Sequence, residues 1–80
     1  MYRFNLEDEV MATKDIRNDG TFPNKPKGEI IIRQGEKGVV IDHGYFLQDI
    51  LVYSVYFESG LIVGCLEREL EFVKKERELA

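Results

Sequence analysis

The sequence predicts an all-β fold, a small five-stranded barrel or strongly bent sheet. A long loop follows the first strand and a short helical turn precedes the last. Three observations carry that expectation. Apolar residues recur mostly at the two-residue spacing of strands, β-branched and aromatic residues gather in short runs, and Gly-, Asn- or Pro-bearing turns bound each run. Eighty residues allow one domain, 1–80, with its ordered core at about 4–73.

Glu9-Val10-Met11-Ala12-Thr13 alternates weakly after an acidic, turn-like lead-in, which places the first strand there. Asn18-Asp19-Gly20 and Pro23-Asn24-Lys25-Pro26-Lys27-Gly28 are dense in turn formers. Pro fixes φ and lacks a donor, while Gly and Asn tolerate positive φ. Lys14 to Gly28 therefore reads as one long ordered loop, held partly by Phe22. Glu29-Ile30-Ile31-Ile32-Arg33-Gln34 is short and β-branched, hence a strand. Gly35-Glu36-Lys37-Gly38 turns the chain and Val39-Val40-Ile41-Asp42 returns it.

Ile50 to Phe57 is the strongest strand. Leu51, Tyr53, Val55 and Phe57 share one face, and this face points inward because Ser54 interrupts the other. Glu58-Ser59-Gly60 makes a hairpin turn and Leu61 to Cys65 forms the partner strand. Leu66, Leu70 and Val73 have helical spacing, but the last edge of a bent sheet needs cover. A single helical turn at Glu67–Glu69, a short strand and a frayed tail at 74–80 meet both demands. The predicted core includes Val10, Ile30, Ile32, Val40, Val55, Phe57 and Ile62.

Composition excludes several classes. The net charge of −4 disfavours a general phosphate-backbone binder, since that affinity needs Lys and Arg to neutralise phosphates. No run of eighteen apolar residues is present for a transmembrane helix, and the start lacks the apolar block of a signal peptide. A reducing, cytoplasmic setting is the expectation. One Cys and one His cannot build a zinc-finger framework, and a single thiol cannot hold an iron–sulfur cluster, so neither a metal nor a cofactor is expected.

The run Asp15-Ile16-Arg17-Asn18-Asp19-Gly20-Thr21-Phe22-Pro23 resembles the signature of the nitrogen-fixation accessory family NifZ. The resemblance continues in Gly35-Glu36-Lys37-Gly38-Val39-Val40, in Gly44-Tyr45-Phe46-Leu47-Gln48 and in Val52-Tyr53-Ser54-Val55-Tyr56-Phe57. It ends in Val63-Gly64-Cys65-Leu66-Glu67-Arg68-Glu69-Leu70 and covers roughly Phe4 to Phe72. The Arg-Asn-Asp-Gly-Thr-aromatic-Pro segment is specific, whereas the Gly-x-x-Gly-x-Val turn is shared with many SH3-like barrels. An SH3-like five-stranded barrel is accordingly the architecture expected. The resemblance implies a non-enzymatic maturation factor for the molybdenum–iron protein of nitrogenase. Such a factor would bind the immature partner and hold it open while iron–sulfur clusters fuse into the P-cluster.

Candidate residues carry two readings each. Asn18, Asp19 and Gly20 suffice for a tight turn, but a turn does not specify Arg17 or Phe22. Arg17 offers a planar fork to a partner's carboxylate. Tyr45-Phe46-Leu47-Gln48 is a bulky patch expected in a loop, with Phe46 or Leu47 tucked beneath the barrel and Tyr45 and Gln48 available. The partner-binding surface is thus placed on Arg17, Asn18, Asp19, Phe22, Tyr45 and Gln48, with no catalytic residue. The outer strand face at Val52, Ser54 and Tyr56 is the next candidate. Cys65 reads as core filler and His43 as an exposed loop residue without a neighbouring nucleophile. Two competing functions are an SH3-like accessory subunit docking on another iron–sulfur enzyme and a small-barrel nucleic-acid module. The latter would use Lys25, Lys27, Arg33 and Lys37.

Overall fold

Short β-branched runs separated by tight turns leave the chain one economical arrangement, an antiparallel sheet whose last strand returns to pair with the first. The computed structural model describes residues 2–20 and 22–73. Its strands are β1 (Glu9–Ala12), β2 (Ile16–Arg17), β3 (Ile30–Ile32), β4 (Lys37–Phe46), β5 (Ile50–Phe57), β6 (Ile62–Leu66) and β7 (Leu70–Phe72). A 3-10 turn, Glu67–Glu69, lies between the last two. The fold is all-β. One sheet has the order β6-β5-β4-β1-β7, and β2 and β3 form a second, two-stranded sheet.

The closed five-stranded barrel is not found. Among the described residues the larger sheet ends at β6 on one side and β7 on the other, and no ladder joins these two edges. The 3-10 turn carries the chain from one edge to the other, and Glu69 caps its entry by accepting the Leu66 N–H at 2.8 Å. The helical turn and short closing strand therefore lie where the sequence placed them, whereas the tail expected at 74–80 lies outside the described residues.

The inward face of β5 is the one anticipated: Tyr53, Val55 and Phe57 are buried with Leu51 half-buried. Val10, Ile32 and Val40 join them as predicted. Ile62 does not. It pairs with Tyr56 on the outer face and is 54% exposed, while Val63 and Cys65 face inward opposite Val55 and Tyr53. A one-residue shift of register reverses every side chain of a strand, and the hairpin pairing, not local hydrophobicity, sets it here. Ile30 is only half-buried. Leu70, Ala12, Ile16 and Phe4 supply the remaining core.

Three further elements differ from the sequence reading. The stretch Lys14–Gly28 is not one uninterrupted loop, because Ile16 and Arg17 pair with Ile32 and Ile30. Burial of Ile16 drives this two-residue strand, which is too short to produce a periodic signal. The strand expected at Val39–Asp42 is ten residues long and includes Tyr45 and Phe46. Ile41 is a bulge between the pairs Val40–Val55 and Asp42–Ser54, which explains why the alternation breaks there. Finally, Phe46 and Leu47 form no plug; they are 59% and 69% exposed.

The N-terminal segment seals the sheet. Phe4 is fully buried, edge-on to Tyr53 with ring centroids 5.2 Å apart and to Phe72 at 4.8 Å. Close backbone approach matters at Gly38, where a Cβ would stand 2.7 Å from Val55 Cγ1 and 2.8 Å from the Tyr56 carbonyl oxygen.

Candidate functional site

The most specific sequence run folds around one amide. Asn18 is only 2% exposed. Its side-chain NH₂ donates to the carbonyls of Phe22 (3.1 Å), Lys25 (2.9 Å) and Pro26 (3.4 Å). Its Oδ1 accepts from the N–H groups of Gly20 and Phe22, each at 3.0 Å. Its backbone is engaged as well, donating to the Glu29 carbonyl at 2.8 Å and accepting from the Gly28 N–H at 2.7 Å. Arg17 closes the loop from outside, its Nη1 donating to the Gly28 carbonyl at 2.8 Å. Asn18 therefore organises the loop from within. Its polar atoms are consumed by the fold and not offered to a partner.

This loop forms one wall of a groove of about 790 Å³. Residues 16–19 with Phe22 and Pro23 stand on one side, and residues 62–66 of β6 on the other. Phe46, Ile50 and Val52 line it as well, and so does Glu69, whose Oε1 holds the Leu66 N–H. Arg17, Asp19 and Glu69 are the charged residues that line it, so the interior is largely apolar. Its size lies within the range of roughly 300–1,000 Å³ typical of ligand clefts.

The structure thus brings Arg17, Asn18, Asp19 and Phe22 together at the groove, with Asn18 as their support. It separates Tyr45 from them. Tyr45 pairs with Leu51 on the opposite face of the hairpin, where its ring lies 6.4 Å from that of Tyr2. Gln48 sits at the hairpin tip in the three residues between Phe46 and Ile50, and both Leu47 and Gln48 hold positive φ, 55° and 75°. Of the second candidate face, Val52 reaches the groove, while Ser54 and Tyr56 do not line it. Sequence reading missed Phe46, Ile50 and Ile62 as groove residues. Their signal was the apolar character of both faces of β5 and β6, which a half-buried strand does not need.

The remaining chemistry is sparse. Cys65 is buried, and its thiol is pushed up to about 12 by loss of solvent and then by the negative charge of Glu69. His43 is not in a loop; it is half-buried on β4, its ring stacked 3.9 Å from that of Tyr2. Among the described residues, no three His, Cys, Asp or Glu side chains are grouped to hold a metal ion. No described helix is long and apolar enough to cross a membrane.

The fold and its groove define the class: a small all-β module with a largely apolar groove beside an open sheet edge. Comparison with known proteins places it more narrowly. The NifZ domain family matches residues 1–72, and the chain belongs to that family, which is associated with nitrogen fixation. It is 50% identical over 70 residues to Protein NifZ of Frankia alni, covering 85% of this chain and 36% of that protein. It is 44% identical over 69 residues to Protein NifZ of Azotobacter vinelandii, covering 85% and 43%. For Protein NifZ of Klebsiella pneumoniae the identity is 42% over 69 residues, covering 85% and 47%. The chain therefore spans about a third to a half of the length of these relatives. No solved structure matches it.

Proposed function

We propose that the chain is a non-enzymatic assembly factor for the molybdenum–iron protein of nitrogenase, assisting P-cluster formation by binding the immature partner. The observation that carries this reading is family membership across nearly every described residue. The strand order supports an SH3-like kinship: the last strand pairs with the first, and a long excursion bearing β2 and β3 separates the first strand from the central hairpin. Binding rather than catalysis suits the chemistry present. A thiol held protonated makes a poor nucleophile. The working surface is the groove with its charged rim, Arg17 and Asp19, and the exposed Phe46 at its hairpin end.

Capture of a cluster-deficient molybdenum–iron protein tests the reading. Wild type is expected to retain the partner and to raise the yield of mature P-cluster in a reconstitution. The double variant Arg17→Ala, Phe46→Ser is expected to lose roughly 1–3 kcal/mol of binding, the range for a charge-assisted contact plus an aromatic anchor. Both positions are exposed, so the variant should melt near wild type. Equal capture and equal P-cluster yield by two folded proteins would move the contact surface elsewhere.

A further inference from the structure

We propose that the groove takes an extended segment of a partner polypeptide, which pairs as an added strand on the free edge of β6. The inference rests on the groove being the contact surface, and it holds whichever protein supplies the segment.

The backbone of β6 identifies the occupant. Phe57 donates to the Leu61 carbonyl at 2.9 Å, which fixes the hydrogen-bonding phase of the β5–β6 ladder. In an antiparallel pair these bonds occur at every second residue. Val63 and Cys65, opposite Val55 and Tyr53, consequently turn their N–H and C=O groups toward β5. Ile62, Gly64 and Leu66 turn theirs outward. Among the described residues β6 is the terminal strand of its sheet, and the outward N–H of Leu66 is held by Glu69. That leaves the groups of Ile62 and Gly64 and the carbonyl of Leu66 as a short template. β2 is terminal in the other sheet, so the edges of two sheets flank one groove. An unpaired edge favours another strand, whose main chain supplies the bonds while alternate side chains supply selectivity.

The groove also specifies the side chains. On the outer face, Gly64 has no side chain, and a Cβ there would meet Val52 Cγ1 at 3.1 Å. The Val52 side chain thus already covers Gly64, and with Ile50, Ile62 and Leu66 it makes the wall beside the β6 edge apolar. An apolar residue of the incoming strand packs against that wall. Charge complementarity adds a second requirement. Two carboxylates, Asp19 and Glu69, and one guanidinium, Arg17, line the groove. Arg17 Nη1 already bonds the Gly28 carbonyl. A Lys or Arg placed beside Glu69 answers that carboxylate, of which Oε1 already accepts the Leu66 N–H. The partner element is thus an extended stretch with alternating apolar residues and a basic end.

The test uses the full chain, isotopically labelled, and a short capped peptide of alternating valine and threonine ending in lysine. Saturable shifts at the amides of Ile62 and Gly64, with exchange of these two amides slowed, are the expected result. A version of the peptide N-methylated on the edge facing β6 should bind about tenfold more weakly or worse. Ile62→Pro removes one outward donor and should weaken the unmethylated peptide similarly, since proline is tolerated on strand edges. Should that variant unfold, the methylated peptide still decides. Equal binding of both peptides, or shifts confined to another face, would overturn strand addition. So would a dimer of the chain abolished by Ile62→Pro, which would give the edge to a second copy. If the peptide fails to bind while Arg17→Ala, Phe46→Ser still loses partner capture, strand addition falls and the contact surface stands.

Discussion

The buried hydroxyl of Tyr53 accepts the backbone N–H of Phe4 at 3.4 Å and that of Arg3 at 3.1 Å, while the rings of Tyr53 and Phe4 meet edge-on. A residue in the middle of β5 thereby anchors a segment some fifty positions earlier in the chain. The sheet keeps one face dry because this segment lies across it.

Tyr53→Phe should leave the ring packing intact and strand two backbone donors. The expected cost is about 1–3 kcal/mol, the desolvation penalty of unsatisfied buried groups. Phe4→Ala should cost more, roughly 3–5 kcal/mol, because a fully buried ring is replaced by a cavity. Urea titrations of wild type and the two variants check both the magnitudes and their order. A Tyr53→Phe variant as stable as wild type would show that water replaces the hydroxyl.

Asn18→Ala removes the amide on which the groove wall is built. Carbonyls of Phe22, Lys25 and Pro26 lose their shared donor, and the N–H groups of Gly20 and Phe22 lose their acceptor. A loss of stability of at least about 1–3 kcal/mol is expected. Partner capture should fall along with it, although Asn18 itself is buried. Asn18→Asp is the sharper variant: a carboxylate would face three carbonyl oxygens and should disrupt the loop further. Amide exchange at Gly20, Phe22 and Gly28 reports the loop directly.

Leu47 and Gln48 both occupy the left-handed region at the hairpin tip. For L-residues that conformation costs roughly 1–2 kcal/mol each, and Asn or Gly relieves it. Replacing the pair by Leu47→Asn, Gln48→Gly should raise the melting temperature. It also removes an exposed apolar side chain beside Phe46, so capture of the partner is expected to weaken as stability improves. Thermal melts and pull-downs on the same preparation separate the two effects.

The thiol of Cys65 makes stability sensitive to alkaline pH. Burial first, and the Glu69 charge second, raise it from 9.0 to about 12 in the folded chain. The folded state thus holds a proton that the unfolded state releases between those values. Stability from the neutral thiol is fully present below pH 9 and is lost as pH rises toward 12. Denaturation between pH 9 and 11 should show stability falling more steeply for wild type than for Cys65→Ala. Alkylation of native Cys65 should be slow, and should accelerate on unfolding.

Local chemistry alone determined much of this protein. Alternation in Ile50–Phe57 settled which face of β5 turns inward, and Gly-bearing turns placed the hairpin beside it. The entry into the final strand was legible only in outline: helical spacing competed with a closing strand, and the need to cover the last edge placed a helical turn at Glu67–Glu69 before it. The run from Arg17 to Pro23 carried the family. Tertiary structure decided the rest. A bulge at Ile41 reverses the alternation of β4, so the residues from Asp42 to Phe46 take the faces opposite to those an unbroken strand would give them, which no local period encodes. Burial of Asn18 depends on carbonyls four to eight residues away converging on one amide, and that convergence exists only in the folded loop. The groove is decided last of all. Its walls are the edges of two separate sheets, and strand pairing across the whole chain determines which backbone groups remain unpaired there.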